Sequence, residues 1–295
     1  MRLSRLFVDS PLTVEQEIVL PQESTHYLLN VLRLRVGAPI TVFNGQGGEY
    51  AARLIAAAKK AAQLQVIEYK AIERESALPL GLVQAISRPE HFNDTIQKAV
   101  ELGVQRIVPV LTERSPPLDK SKISKREQQW RKIIISACEQ CGRNRLPELY
   151  EVLPLSAWLA EPQQSNSTRN VLQTHNSQST THNPQSTIHN SQLIHNSQST
   201  THNSELIHNS EFTIHNSQLE LVLSPSGKSR LPEAVKQKSA VTVLTGAEGG
   251  LSETEIQQAI QAGYLDICFG PRILRTETAA VAVLAVCQTL WGDLR

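Results

Sequence analysis

The last fifty residues constrain this chain more than any other stretch. Val241-Thr-Val-Leu-Thr-Gly-Ala-Glu-Gly-Gly-Leu-Ser-Glu-Thr-Glu255 and Leu265-Asp-Ile-Cys-Phe-Gly-Pro-Arg-Ile-Leu-Arg-Thr-Glu-Thr-Ala-Ala280 each pass from a short apolar run through a glycine-bearing loop into a helical pattern. Such runs (Val241–Thr245 and Leu265–Phe269) fit buried parallel strands. The glycines after them permit backbone geometries and close ligand approach that a side chain would block. Ser252 with Glu255 is a capping box and Gly263 a typical terminator, so a helix lies between them. Thr276 to Trp291 is almost wholly apolar or small, which predicts a last helix buried on most sides. In an open parallel sheet, loops at the carboxyl ends of strands line the crevice where ligands bind. These two loops are therefore the expected ligand site.

Upstream, the pattern changes twice. Arg5-Leu-Phe-Val, Ile18-Val-Leu, Pro39–Phe43, Glu49–Ile55 and Ala62–Ile67 are short and spaced, with a hairpin signature at Asn44-Gly-Gln-Gly-Gly48 and one helix over His26–Leu32. A small β-barrel with one helix follows. The charged, aperiodic Lys70–Ser76 marks a domain boundary, giving units at 1–75 and 76–295. Beyond it, Leu80–Ile86 reads as a strand, Thr95–Leu102 as a helix capped by Asp94, and Arg106–Leu111 as a strand. Glu127–Arg143 is helical, Leu219–Leu223 a strand and Leu231–Lys238 a short helix. This alternation indicates an α/β layer with a mainly parallel sheet.

The alternation is interrupted over residues 163–218, where His-Asn pairs recur at 175, 182, 189, 195, 202, 208 and 215 and hold seven of the nine histidines. The drifting register and lack of cysteines argue against a built metal site. Polar composition with scattered apolar residues predicts a disordered insertion. Four cysteines fit a reducing compartment, and Cys138-Glu-Gln-Cys141 falls on a helical stripe with Trp130, Ile134 and Ala137, so helix packing is favoured over redox or zinc chemistry. No metal is expected. Without a transmembrane-length run or a signal-peptide pattern, a soluble cytoplasmic protein is the default. Net charge is +1, yet Arg114–Arg145 carries nine basic against three acidic residues, a local +6. That run is either a solvated face or a nucleic-acid surface.

Five motifs in order add a resemblance. Thr25-His-Tyr-Leu-Leu-Asn-Val-Leu-Arg-Leu, Gln97-Lys-Ala-Val-Glu-Leu-Gly-Val with Thr112-Glu-Arg-Ser115, Ala137-Cys-Glu-Gln-Cys-Gly-Arg-Asn-Arg-Leu-Pro147, Gly246-Ala-Glu-Gly-Gly-Leu-Ser and Arg272-Ile-Leu-Arg-Thr-Glu-Thr-Ala279 resemble the ribosomal RNA small subunit methyltransferase E family of the SPOUT superfamily. The likeness covers nearly the whole chain except the His-Asn repeats. It implies a PUA-like barrel, a SPOUT domain with a trefoil-knotted C-terminus, and a homodimer. It also implies methyl transfer from S-adenosylmethionine to N3 of one uridine of 16S ribosomal RNA in the assembled small subunit.

The residues accommodate that chemistry. In-line transfer from a sulfonium asks the protein mainly to orient donor and acceptor and exclude water. Main-chain groups around Leu244, Thr245, Gly246, Gly249, Phe269 and Gly270, followed by Ile273 and Leu274, would grip the cofactor. Glu248 either contacts its ribose or methionyl end or stabilises the next helix start. Arg275 is expected to stabilise the uracil anion, an ion pair with Glu277 or Glu248 being the alternative, and Glu277 is the nearest candidate base. By resemblance, Arg5, Arg33 and Arg35 on the barrel and Arg114, Arg143 and Arg145 on the catalytic unit hold RNA. Two departures are Ala247 and Phe269, where the family has proline and leucine; losing the proline costs roughly 0.5–1 kcal/mol. Competing readings are a non-catalytic RNA-binding assembly factor on the same fold, and a dinucleotide oxidoreductase. The latter is disfavoured because G-x-G-x-x-G is absent.

Overall fold

The computed structural model describes residues 4–58, 61–160, 218–227, 229, 231 and 240–294. The His-Asn repeats and the expected helix at 231–238 lie outside the described residues, apart from Gln218 and Leu231 at their ends.

The N-terminal region is a five-stranded sheet ordered β1-β3-β4-β5-β2, from β1 (Arg5–Phe7), β2 (Glu17–Val19), β3 (Pro39–Phe43), β4 (Glu49–Ala58) and β5 (Ala61–Lys70). β1 pairs parallel to β3 and the remaining pairs are antiparallel. Register shifts between β4 and β5 bend the long hairpin. The helix expected at 26–32 is a short α1 (Gln22–His26) running directly into a π turn over Tyr27–Val31. Leu28 from that turn joins Ile40, Val42, Leu54 and Leu64 in a core of the sheet's own.

The second region alternates as its pattern predicts. Its sheet runs β12-β10-β11-β6-β7-β8, with β9 also on β7, and every pair is parallel. The strands are β6 (Leu80–Ala85), β7 (Arg106–Leu111), β8 (Glu148–Leu149), β9 (Leu153–Pro154), β10 (Gln218–Leu223), β11 (Ala240–Thr245) and β12 (Leu265–Ile267), and the helices α2 (Pro89–Glu101), α3 (Ile123–Cys141), α4 (Leu155–Ala160), α5 (Glu253–Gln261) and α6 (Thr276–Trp291). Side chains on both faces of the sheet are buried, as parallel strands require.

Three local expectations are corrected. Helix α2 begins at Pro89, whose fixed φ and missing N–H suit a first helical position, so Asp94 is inside the helix and pairs with Lys98 at 2.6 Å. β12 stops at Ile267, leaving Cys268 and Phe269 in the loop. Helix α6 is buried along one stripe only (Thr276, Ala280, Val283, Leu284, Cys287, Gln288), while Val281, Ala282, Ala285 and Val286 are half-buried and Leu290 is exposed. The capping box of α5 forms in full, with Ser252 Oγ accepting from Glu255 N–H and the Glu255 carboxylate accepting from Ser252 N–H.

Candidate functional site

A cavity of about 310 Å³ opens at the carboxyl ends of β10, β11 and β12. Its walls are the two expected loops, 245–250 and 267–274, together with Leu223–Pro225 and one face of α6 at Thr276 and Ala279. Of the nine residues expected to hold the cofactor, Thr245, Gly246, Glu248, Gly249, Phe269, Gly270, Ile273 and Leu274 line it. Leu244 does not; its side chain is in the core between sheet and helices.

Backbone contact makes glycine necessary at the neck of the first loop. A Cβ on Gly246 would be 2.6 Å from the Gly250 carbonyl carbon, and Gly250 itself has φ +72°. Ala247 is buried at 4% exposure and accepts the Gly250 N–H at 2.9 Å, so the alanine supplies core packing and a closed turn. At Gly270, φ is +83° and a Cβ would meet nothing within 4 Å, so the second loop is held open by backbone conformation rather than by packing.

A buried glutamine ties the site together. Gln84, at the end of β6, donates to Gly246 O and Thr276 Oγ1 at 3.1 Å each and accepts from Thr245 Oγ1 at 2.5 Å. Thr276 Oγ1 in turn donates to Gly246 O. Strand β6, the first glycine loop and the start of α6 are thus one hydrogen-bonded unit. Gln84, Thr276 and the Leu223–Pro225 turn were not among the expected site residues. A fully buried glutamine in an apolar strand, Leu80-Gly-Leu-Val-Gln-Ala-Ile86, is the signal that would have marked the first of them.

The walls suit S-adenosylmethionine. They combine apolar side chains with main-chain donors and acceptors, as small-molecule sites usually do. Ser224, 5% exposed, lines the cavity with an Oγ that has no partner among the described residues, a hydroxyl left for a ligand. Glu248, exposed on the rim, accepts the Arg88 N–H at 2.9 Å at the start of α2. Glu248 therefore lines the cavity and also holds a helix start, but that of α2 and not of the following helix α5, which Ser252 and Glu255 cap.

Arg275 is the exposed N-cap of α6 and makes no side-chain cap bond. Glu277 lies one residue beyond the cavity wall. Its Oε1 is 3.4 Å from His91 Nδ1 on α2, and its Oε2 is buried without a partner among the described residues. Neither Glu277 nor Glu248 pairs with Arg275, so the ion-pair alternative for that guanidinium is not realised.

The six arginines expected on an RNA surface separate into groups. Arg33 (φ +55°) and Arg35 are exposed at the end of the helical turn, and Arg145 is exposed with its Nε 2.8 Å from Glu73. Arg114 is exposed, but its Nη1 donates to Gly249 O at 2.7 Å and Leu251 O at 3.2 Å, which staples the first glycine loop. Arg5 and Arg143 are corrections: at 8% and 4% exposure they form the joint between the two sheets. Arg5 bonds Glu49 (2.5 Å), Asn144 Oδ1 (2.6 Å) and Arg143 O (3.1 Å), and Arg143 grips Glu75 with two donors and, with a third, the carbonyls of Val100 in α2 and Val104 in the loop after it. Their terminal nitrogens are committed within the protein, since a buried guanidinium must find its partners internally.

Cys138 is a core residue of α3, its thiol pushed up to about 12 by burial. No group of three or more His, Cys, Asp or Glu side chains able to hold a metal occurs among the described residues.

Comparison with known proteins agrees with this arrangement. The RNA methyltransferase domain family matches residues 74–200 and 185–288, and the RNA methyltransferase PUA domain family matches 20–67. Ribosomal RNA small subunit methyltransferase E of Buchnera aphidicola subsp. Schizaphis graminum is 28% identical over 294 residues, 99% of this chain and 98% of the relative. The same enzyme of Neisseria gonorrhoeae, solved bound to S-adenosyl methionine, is 30% identical with a TM-score of 0.76 over 100% of both chains. A Legionella pneumophila methyltransferase in complex with the same cofactor is 31% identical with a TM-score of 0.78 over 100% of both chains. With its PUA-type and SPOUT-type regions, the chain belongs to the ribosomal RNA small subunit methyltransferase E family.

Proposed function

We propose that this chain transfers a methyl group from S-adenosylmethionine to N3 of one uridine of 16S ribosomal RNA, within the assembled small subunit in the cytoplasm, and acts as a homodimer. The observation that carries the reading is the cavity itself. Two glycine loops and α6 enclose it at the carboxyl ends of a parallel sheet, in a chain whose solved relatives hold S-adenosyl methionine. The bound sulfonium supplies an activated methyl group. The protein's residues do the rest: Thr245–Gly250 and Cys268–Leu274 hold the donor by main-chain groups, and Gln84 fixes those loops to α6. Arg275, exposed and unpaired between the lining residues Leu274 and Thr276, meets the negative charge that grows on the uracil carbonyls as N3 loses its proton. The free Oε2 of Glu277 accepts that proton, and His91 holds the carboxylate in place.

Arg33, Arg35, Arg114 and Arg145 meet RNA phosphates, which set register rather than sequence. Residues 1–75 serve as the RNA-holding unit and 76–295 as the transfer unit. The half-exposed apolar face of α6 (Val281, Ala282, Ala285, Val286, Leu290) is the surface a second copy would cover. The trefoil threading belongs to the same proposal: the chain reaches the sheet edge at β12, then returns so that α6 packs on β11 and α2. Small subunits from a strain lacking this gene, incubated with purified protein and labelled S-adenosylmethionine, should yield N3-methyluridine on nucleoside analysis. Labelled cofactor binding without any methylated nucleoside would leave the non-catalytic assembly factor instead.

A further inference from the structure

A second cleft, about 360 Å³, lies between the N-terminal sheet and α3, away from the cofactor cavity. It is lined by Ser4, Arg5, Tyr27, Leu32, Ser136, Glu139 and Gln140. Ser136, Glu139 and Gln140 share one helix face by their i, i+3, i+4 spacing, and Tyr27 and Leu32 come from the helical turn that precedes the exposed Arg33 and Arg35.

Two charged groups in this cleft are incompletely satisfied. Arg5 is 8% exposed and spends both terminal nitrogens inside the joint, but its Nε has no partner. Glu139 accepts the Phe7 N–H at 2.9 Å through Oε1, while its Oε2 makes no hydrogen bond among the described residues. Arg5 takes its ion pair from Glu49 and not from Glu139. A donor and an acceptor therefore line one cleft without closing on each other. Tyr27, 37% exposed, supplies an aromatic surface beside them, and Ser136 and Gln140 add adaptable polar groups.

We infer that this cleft binds one unpaired nucleobase of the RNA substrate, read by Glu139 and stacked on Tyr27. Unstacked bases are recognised in this way, by aromatic stacking together with hydrogen bonds to their free edges. Every base offers an N–H donor next to an acceptor. Guanine fits this set best, because N1–H and N2–H lie together for the Glu139 carboxylate. Backbone phosphates on either side would then reach Arg33 and Arg35 and the basic face of α3, where Arg131 and Lys132 already bridge to Asp9 and Glu23.

The inference rests on the RNA-substrate reading, and its test keeps the two apart. Guanosine 5′-monophosphate is titrated into the full chain with S-adenosylmethionine saturating the first cavity, following the amide resonance of Phe7 and the side-chain amide of Gln140. Ribose 5-phosphate is the control. Guanosine monophosphate should shift both resonances, and Tyr27→Ala or Glu139→Gln should each weaken it roughly tenfold, the scale of one lost stacked base, with cofactor affinity unchanged. Equal shifts from ribose 5-phosphate would overturn the inference, as would unchanged affinity in Glu139→Gln. In turnover, Tyr27→Ala should raise the KM for small subunits about tenfold at constant kcat; a fall in kcat alone would overturn it. Selective nucleotide binding in a protein that methylates no small-subunit RNA would support the cleft and remove the methylation reading.

Discussion

The cofactor cavity is walled mostly by backbone and by small or apolar residues, whereas the joint between the two sheets is filled with charge. In the cavity, polar side chains such as Gln84 and Thr276 bond loop carbonyls and leave the interior to a ligand. In the joint, Arg5, Glu49, Arg74, Asn144, Arg143 and Glu75 bond one another in a continuous network. A site that must admit and release a small molecule keeps few fixed charges, because each would have to be desolvated in every cycle. A joint that must hold one orientation can carry many, provided each is paired. Breaking either region should therefore fail differently.

The largest effect should come from the joint. Arg143→Ala removes two bonds to Glu75, at 2.9 and 2.5 Å, and leaves that carboxylate 11% exposed without its partner. The cost should be about 3–5 kcal/mol in chemical unfolding, while the folded fraction binds S-adenosylmethionine normally. A loss below about 1 kcal/mol would mean that the joint is not held by this pair. Gly246→Ala should do the reverse. Its Cβ meets the backbone of Gly250 and Leu251, at 2.6 to 2.8 Å, so the loop must shift. Cofactor affinity measured by calorimetry should fall on the order of 100-fold, about 2.7 kcal/mol, with the N-terminal sheet undisturbed in its amide spectrum.

The same contrast explains what could be read in advance. Glycine loops, the capping box at Ser252 and the strand–helix alternation are local patterns, so the cavity's position and most of its lining followed from short windows of sequence. The partners of Arg5 and Arg143 are not local: Arg5 meets Glu49 at a separation of 44 residues and Asn144 at 139. Nothing in the basic run 114–145 distinguishes Arg143, buried on Glu75, from Arg145, two residues on and exposed. For the same reason the partner of Gln84 is not legible: a glutamine in an apolar strand stands out, but Thr276, which it bonds, lies 192 residues away. Asp94 shows the local form of the problem, since a cap and an i, i+4 partner of Lys98 look alike until Pro89 sets where the helix begins.

Acid sharpens the comparison further. Burial pulls the Glu49 carboxyl upward, but hydrogen bonds from Arg74 and Arg5 and their charges outweigh it, so its pKa is lowered from 4.5. A carboxyl depressed in the folded state stabilises above its unfolded pKa, and that contribution is lost as pH falls through the folded value. Unfolding free energy should thus drop below about pH 4.5, and Glu49→Gln should flatten the drop. An unchanged acid limb in Glu49→Gln would assign it to other carboxylates. A more modest effect is expected at Arg114, whose two bonds to loop carbonyls touch the cavity from outside. Arg114→Ala should weaken S-adenosylmethionine about tenfold without RNA present, roughly 1.4 kcal/mol, and unaltered cofactor binding would return this residue to a purely RNA-facing role.

Arg145 should give the smallest change in stability, and it tests whether the joint really ends where burial ends. Its side chain is 56% exposed and its pair with Glu73 at 2.8 Å is a surface one, a class worth about 0–1 kcal/mol in water. Its guanidinium also rests against the hairpin tip, where a Cβ on Gly47 would be 2.6 Å from Nη2. If Arg145 belongs with Arg143 as a structural clamp, Arg145→Ala should destabilise by well over 1 kcal/mol and leave RNA binding per folded molecule intact. If it is the RNA-facing neighbour of a buried arginine, stability should change by less than about 0.5 kcal/mol. The slope of log affinity for small-subunit RNA against log salt should then fall by about one unit, as for one lost phosphate contact. The second outcome is the one its exposure predicts, and it would set the boundary between joint and RNA surface at a single residue step along one loop.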